Sequence, residues 1–111
     1  MHRVSIPLEG RSPSNGVYRM IQNFWHKGLK QLFESGTLAG VNPQYASRLR
    51  RILALLETAE TLDDMDLTGL NLHELKGERK GTWSVKVSGN WRVTFKIKQG
   101  DVIDVNYEDD H

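Results

Sequence analysis

The sequence predicts an α+β domain in which an N-terminal strand and two helices pack on one small, mainly antiparallel sheet. Three observations predict this class. Apolar residues recur at helical spacing in the first half of the chain, whereas apolar and polar residues alternate in the second half. Tight-turn signals such as Ser88–Asn90 join the alternating segments. Helices followed by a run of strands with short connections favour helices on one face of an antiparallel sheet.

The first elements are a short strand and two helices. Residues 20–24 alternate as a strand does, and the following helix is predicted to stop at Gly36. The apolar face of this helix consists of Leu29, Leu32 and Phe33. The second helix has the stronger signal, with Asn42 as its N-cap and Pro43 at its first position. Its core-facing positions are predicted to be Tyr45, Leu49, Ile52, Leu53, Leu56 and Ala59.

The remaining elements are one helical turn and about four short strands. The turn is predicted near residues 62–65, and the strands within residues 72–75, 83–87, 91–98 and 102–107. Alternation in the third strand aims one set of side chains at the helices, namely Trp91, Val93, Phe95 and Ile97. It aims the other set at the opposite face, namely Arg92, Thr94, Lys96 and Lys98.

Composition narrows the class of protein. The 111 residues are 38% hydrophobic and 26% charged, which is typical of one soluble globular domain rather than a disordered chain. The absence of cysteine excludes disulfides and thiolate chemistry and is compatible with a reducing cytoplasm. Apolar runs are too short to cross a bilayer. Residues 1–19 lack a helix or strand period and are predicted to be a flexible leader or a non-native extension, which places the domain at residues 20–111.

Charge is distributed unevenly along the chain. The formal net charge is only +1, but Lys and Arg outnumber acids between Leu72 and Lys98, whereas the last ten residues hold no Lys or Arg. A near-neutral total therefore conceals a basic middle and an acidic end. A basic surface of this kind suits a polyanion such as RNA.

The basic middle contains the residue types needed to cleave RNA without a metal. Such cleavage needs a base for the 2′-hydroxyl proton, a cation for the crowded phosphorane and an acid for the leaving 5′-oxygen. His73 can be base or acid near neutral pH, whereas Lys76 and Arg92 can stabilise negative charge on the phosphate. The terminal His111 is a second candidate, with Asp110 beside it. Solvated surface charge is the competing interpretation for the lysines and for His73.

The residue types also allow two other kinds of site. Glu108, Asp109, Asp110 and His111 could together hold Mg²⁺ or Mn²⁺, but no second carboxylate pair or spaced histidine supports that, and no metal is predicted. Trp83 and Trp91 could stack on bases, but their phase with the buried positions favours core packing for both.

Three stretches of the chain resemble the HigB toxins of the RelE superfamily, the toxin halves of HigB–HigA toxin–antitoxin modules. LHELKGERKGTWS fits the family's L-H-x-L-K-G-x-R-x-G-x-W-S, NWRVTF fits N-W-R-[IV]-T-F, and NYEDDH fits N-Y-E-D-x-H. The opening MIQNFWHKGLKQLFESG is also similar, so the resemblance covers Met20–His111. One departure is Asp110, which stands where the family often has Tyr. Asp110 could orient His111, or it could weaken RNA binding.

The resemblance implies a metal-independent endoribonuclease with the RelE-like microbial-RNase fold and no cofactor. It would cut mRNA on translating ribosomes in the cytoplasm, and a HigA-like helix-turn-helix antitoxin would neutralise it and bring it to operator DNA. The family's active-site positions fall on His73, Lys76, Arg92 and His111. RNA contacts are expected from Arg79, Lys80 and Asp110. The alternatives are a translation inhibitor that binds ribosome or RNA without cutting, and a purely regulatory partner of an antitoxin–operator complex.

Overall fold

The computed structural model describes residues 21–109 and has the predicted α+β class. Two helices, α1 (Lys27–Ser35) and α2 (Ala46–Thr58), pack on one face of a four-stranded sheet. The strands are β1 (His73–Glu74), β2 (Thr82–Ser88), β3 (Trp91–Lys98) and β4 (Asp101–Asp109), in the spatial order β1-β2-β3-β4. Every neighbouring pair of strands is antiparallel. The predicted leader lies outside the described residues, as do Met20, Asp110 and His111.

The predicted N-terminal strand is reduced to two isolated parallel bridges, Ile21 with Val102 and Phe24 with Val105. Between them, the Asn23 side chain donates to a carboxylate oxygen of Asp104 (2.9 Å) and accepts from the Asp104 backbone N–H (3.1 Å). Asp104 has a φ of 56°, which is outside the strand region. The Asn23 side chain thus contacts β4 between the two bridges, at a residue whose backbone leaves the strand conformation.

Local capping signals set the ends of the helices. The His26 ring nitrogen Nδ1 accepts from the Leu29 N–H (3.0 Å) at the start of α1, and Gly36 ends it in the left-handed region at φ 75°. Asn42 caps Pro43–Tyr45 as predicted, but that segment is a 3₁₀ turn and α2 begins after it, at Ala46. The predicted turn near residues 62–65 is a 3₁₀ turn at Leu62–Met65.

The core lies between the helices and the inner face of the sheet. The largest side chains with almost no exposure include Phe95 on β3, with Leu49 and Leu53 on α2. Burial of this apolar area is the main favourable term in folding. Across residues 21–109, no helix is long and apolar enough to span a membrane.

The core position predicted for Trp91 on β3 is wrong. Trp91, which was interpreted as a core residue, is 37% exposed because it begins β3 at the hairpin end of the sheet. Thr94 lies on the face opposite the helices, as predicted, and is buried there with its Oγ1 donating to Glu108; a register shift follows between Thr94 and Lys96. Trp83 is partly buried against the core, as predicted.

Candidate active site

The register of the strands places His73, Lys86 and Arg92 on the sheet face opposite the helices. Lys86 on β2 pairs with Arg92 on β3, and Arg92 pairs with Glu108 on β4. One row further, His73 on β1 pairs with Ser84. Directly opposed residues project from the same face of an antiparallel sheet. Because Val85 and Val93 are buried in the core, their neighbours in sequence project outwards.

A cavity of about 210 Å³, here called the basic cleft, opens on this outer face. Its walls are Asn71, His73, Ser84, Lys86, Trp91 and Arg92, with the turn residues 89–90. An imidazole, an ammonium and a guanidinium therefore share one small cavity, as predicted for His73 and Arg92. The cleft has the size and charge to take a phosphate group rather than a large apolar ligand.

The His73 ring is held in a defined orientation. Its Nδ1 lies 2.8 Å from the carbonyl oxygen of Asn71. A carbonyl oxygen can only accept, so the hydrogen bond requires Nδ1 to carry the hydrogen. In the neutral ring, Nε2 is then left with its lone pair. His73 is exposed at the start of β1, so this nitrogen is suited to accept a proton from a ligand.

The Glu108 carboxylate lies between two arginines, Arg79 and Arg92, beside the cleft. The Arg79 guanidinium donates two hydrogen bonds to its carboxylate, at 2.8 and 2.6 Å. Thr94 Oγ1 donates to the same carboxylate at 2.6 Å, and Asn106 Nδ2 donates at 3.3 Å. Arg92 Nη2 lies 3.7 Å from its other oxygen. One carboxylate thus fixes the arginine of the β1–β2 loop and faces the arginine of β3.

These contacts determine the protonation of Glu108. The hydrogen bonds from Arg79 lower its pKa most, partial burial opposes them, and the Thr94 hydrogen bond and the charges of Arg79 and Arg92 lower it further. The resulting pKa is about 2, against an ordinary value of 4.5. Glu108 is therefore an anion at any physiological pH, which excludes it as a general acid.

The other predicted residues lie around the cleft or outside the described chain. Lys76 and Lys80 flank the 3₁₀ turn Gly77–Arg79, are exposed, and do not line the basic cleft. The guanidinium of Arg79 is bound to Glu108, and the RNA contact expected from this residue stays a prediction. His111 and Asp110 lie outside the described residues, and their roles stay predictions.

Sequence reasoning missed two members of the site. Lys86 has no role among the predictions made from the sequence, although its alternation with Val85 and Val87 places it on the outer face. Glu108 was considered only as a metal ligand. No local signal reveals its pairing with Arg79, which lies 29 positions away in the chain. Within residues 21–109, no group of three His, Cys, Asp or Glu side chains is placed to hold a metal ion.

Comparison with known proteins agrees with this fold. Residues 22–111 match the family model described as the RelE-like toxin of type II toxin–antitoxin system HigB. The chain is also similar to a curated protein named Endoribonuclease HigB from Proteus vulgaris. The two are 45% identical over 92 residues, which is 83% of this chain and 100% of the relative. Membership of a type II system implies an antitoxin partner. The chain thus belongs to the HigB-like toxins, the RelE-like toxins of type II toxin–antitoxin systems.

Proposed function

We propose that this chain is an endoribonuclease toxin that cuts mRNA on translating ribosomes. The observation that carries the proposal is the basic cleft, where His73, Lys86 and Arg92 line one cavity on the outer face of the sheet. The name of the Proteus vulgaris relative, an endoribonuclease, supports the same activity. The chemistry uses side chains alone, and no metal has a step in it.

The reaction begins with proton removal by His73. Its Nε2 takes the proton of the 2′-hydroxyl, and the 2′-oxygen bonds to the adjacent phosphorus. Arg92 and Lys86 stabilise the negative charge that develops on the phosphorane oxygens. The bond from phosphorus to the 5′-oxygen then breaks, an acid protonates that oxygen, and a 2′,3′-cyclic phosphate remains. His111 is our candidate for that acid, and Lys76 is a candidate for a further phosphate contact from the neighbouring loop.

The proposal extends to partners and compartment. A HigA-like helix-turn-helix antitoxin would neutralise the toxin and carry it to operator DNA. The ribosome would present the message in its reading frame, so the activity belongs in the cytoplasm. Exposed cations around the cleft, Lys76 and Lys80 among them, are available for contacts with ribosomal RNA or mRNA.

The proposal is tested with ribosomes programmed by one defined message, with 5′ ends mapped by primer extension. His73→Ala and Arg92→Ala should each slow cleavage about 100-fold or more, because each removes a group that acts on the reacting phosphate. Lys98→Ala is the matched control: it removes an exposed cation at the other end of β3, outside the cleft, and should leave the rate within about twofold. Cleavage by Arg92→Ala at the wild-type rate would contradict the assignment. Stalled ribosomes on intact message would identify a binder that does not cut.

A further inference from the structure

A second cavity adjoins the basic cleft at the hairpin end of the sheet. Its volume is about 350 Å³, and it is called the aromatic cavity here. It lies between the start of α1, the loop of residues 39–42 and the sheet, and its aromatic walls are His26, Tyr45, Trp91 and Tyr107. Trp91 lines this cavity and the basic cleft as well, so its indole forms the partition between them.

The walls of the aromatic cavity are rigidly placed. The Tyr107 ring packs against Trp91 in a tilted arrangement with centroids 4.7 Å apart, and it makes an edge-to-face contact with the His26 ring at 5.4 Å. The loop is fixed because Gly40 packs directly on Gly28 of α1, where a methyl group on either residue would overlap the other's backbone. A cavity built in this way does not need a ligand in order to form.

The aromatic cavity is uncharged near neutral pH. None of its lining residues is Lys, Arg, Asp or Glu. Burial lowers the pKa of the His26 imidazole, and burial together with neighbouring Tyr45 raises the pKa of the Tyr107 phenol, so both rings are neutral at pH 7. Because His26 Nδ1 accepts from the Leu29 N–H, the neutral ring carries its hydrogen on Nε2, where it can be donated. Neutral aromatic walls with a polar edge suit a planar heterocycle, and the cavity has no cationic side chain to neutralise a phosphate.

We propose that the aromatic cavity binds one nucleobase of an RNA strand whose adjacent phosphate lies in the basic cleft. The proposal rests on the proposed function and deepens it by naming a base subsite. The charged phosphate would then lie in the basic cleft and the flat base in the aromatic cavity. Trp91 would stand between these two parts of the nucleotide. Stacking of a base on aromatic side chains is a recurrent mode of binding single-stranded RNA.

The test measures binding without cleavage, so that its result is independent of catalysis. The probe is a dye-labelled single-stranded RNA hexamer with 2′-O-methyl riboses, which cannot be cut, and affinity is read from fluorescence anisotropy. A series of hexamers each lacks the base at one position. Wild-type protein should bind the intact hexamer and lose about tenfold in affinity when one particular base is missing, as expected for loss of one stacked base.

Two variants connect that loss to the aromatic cavity. Tyr45→Ala alters a residue that lines the aromatic cavity and not the basic cleft, and Trp91→Ala removes the residue that lines both. Each should bind the intact hexamer about tenfold more weakly, with no further loss when the sensitive base is absent. The matched control is Trp25→Ala, which removes a tryptophan that is 61% exposed and lines neither cavity. It should retain wild-type affinity and the wild-type pattern.

The remaining outcomes overturn the proposal. Equal binding of all abasic hexamers, or no binding of the intact hexamer, would mean that the cavity does not hold a base. If only Trp25→Ala lost the sensitivity to the missing base, the stacked base would be assigned to Trp25. Variants that keep hexamer affinity but lose affinity for the antitoxin would assign the cavity to a protein partner. None of these results depends on mRNA cleavage, whose failure in the ribosome assay would instead contradict the proposed function.

Discussion

Replacing Glu108 by glutamine should lower the free energy of unfolding at pH 7 by about 1–2 kcal/mol. A carboxyl whose pKa falls from 4.5 to about 2 on folding stabilises the folded state by about 3 kcal/mol at neutral pH. The Glu108 side chain is only 18% exposed, but that of Arg79 is 42% exposed, so water screens much of the attraction. Glutamine also keeps an oxygen that can accept from Thr94.

The effect should depend on pH in a defined direction. Because folding depresses the pKa of Glu108, the unfolded chain takes up the proton first as the solution is acidified. The stabilisation is therefore complete above about pH 4.5 and disappears as the pH falls towards about 2. Urea unfolding followed by tryptophan fluorescence at pH 7, 4 and 3 measures it. By pH 3, more than half of the difference between wild type and variant should be gone.

The matched control is Glu78→Gln, which removes an exposed carboxylate beside Arg79 in the same loop. It should change the free energy of unfolding by less than about 0.5 kcal/mol. A Glu108→Gln deficit that stays constant from pH 7 to pH 3 would refute the reasoning, since the loss would then come from packing and not from the ionised carboxylate. Equal stability of Glu108→Gln and wild type at pH 7 would do the same.

Three further changes test other parts of the structure. Thr94→Val removes one of the hydrogen bonds to Glu108 at a buried position and should cost about 1 kcal/mol in urea unfolding at pH 7, a loss that Thr94→Ser should largely avoid. His26→Asn should remove a pH dependence of the stability. Burial lowers the pKa of His26, so its cap is complete above pH 6.5, and the free energy of unfolding of the wild type should fall by about 1 kcal/mol as acidification protonates Nδ1. Asparagine caps the helix at every pH. Thermal unfolding at pH 7 and pH 5 gives the comparison, and equal losses in both proteins would contradict it. Gly28→Ala should destabilise the fold by about 1–3 kcal/mol, because its methyl group meets the Gly40 backbone. Gly36→Asn is the control and should cost less, because the space around Gly36 is open. Similar melting temperatures of the two variants would contradict the close contact between Gly28 and Gly40.

Features set by neighbouring residues could be predicted from the sequence. Helix α1 begins after His26 and ends at Gly36 because caps act within one turn, and the apolar face of α2 follows from its spacing. Alternation in β3 correctly predicted that Arg92 lies on the outer face, where it lines the basic cleft with His73. These interactions join residues a few positions apart, so the one-dimensional pattern contains them.

Tertiary structure alone decided which charges meet. The register of β2 and β3 places Lys86 beside Arg92. The Arg79 guanidinium pairs with Glu108, which lies 29 positions away in the chain. At the hairpin end of the sheet Trp91 is 37% exposed and lines two cavities, although its phase in β3 is that of a core residue. Alternation fixes the face of a strand on which a side chain lies, but partners depend on register, loop reach and where the covering helices stop. Those three properties arise from the packing of distant segments, which no local pattern encodes.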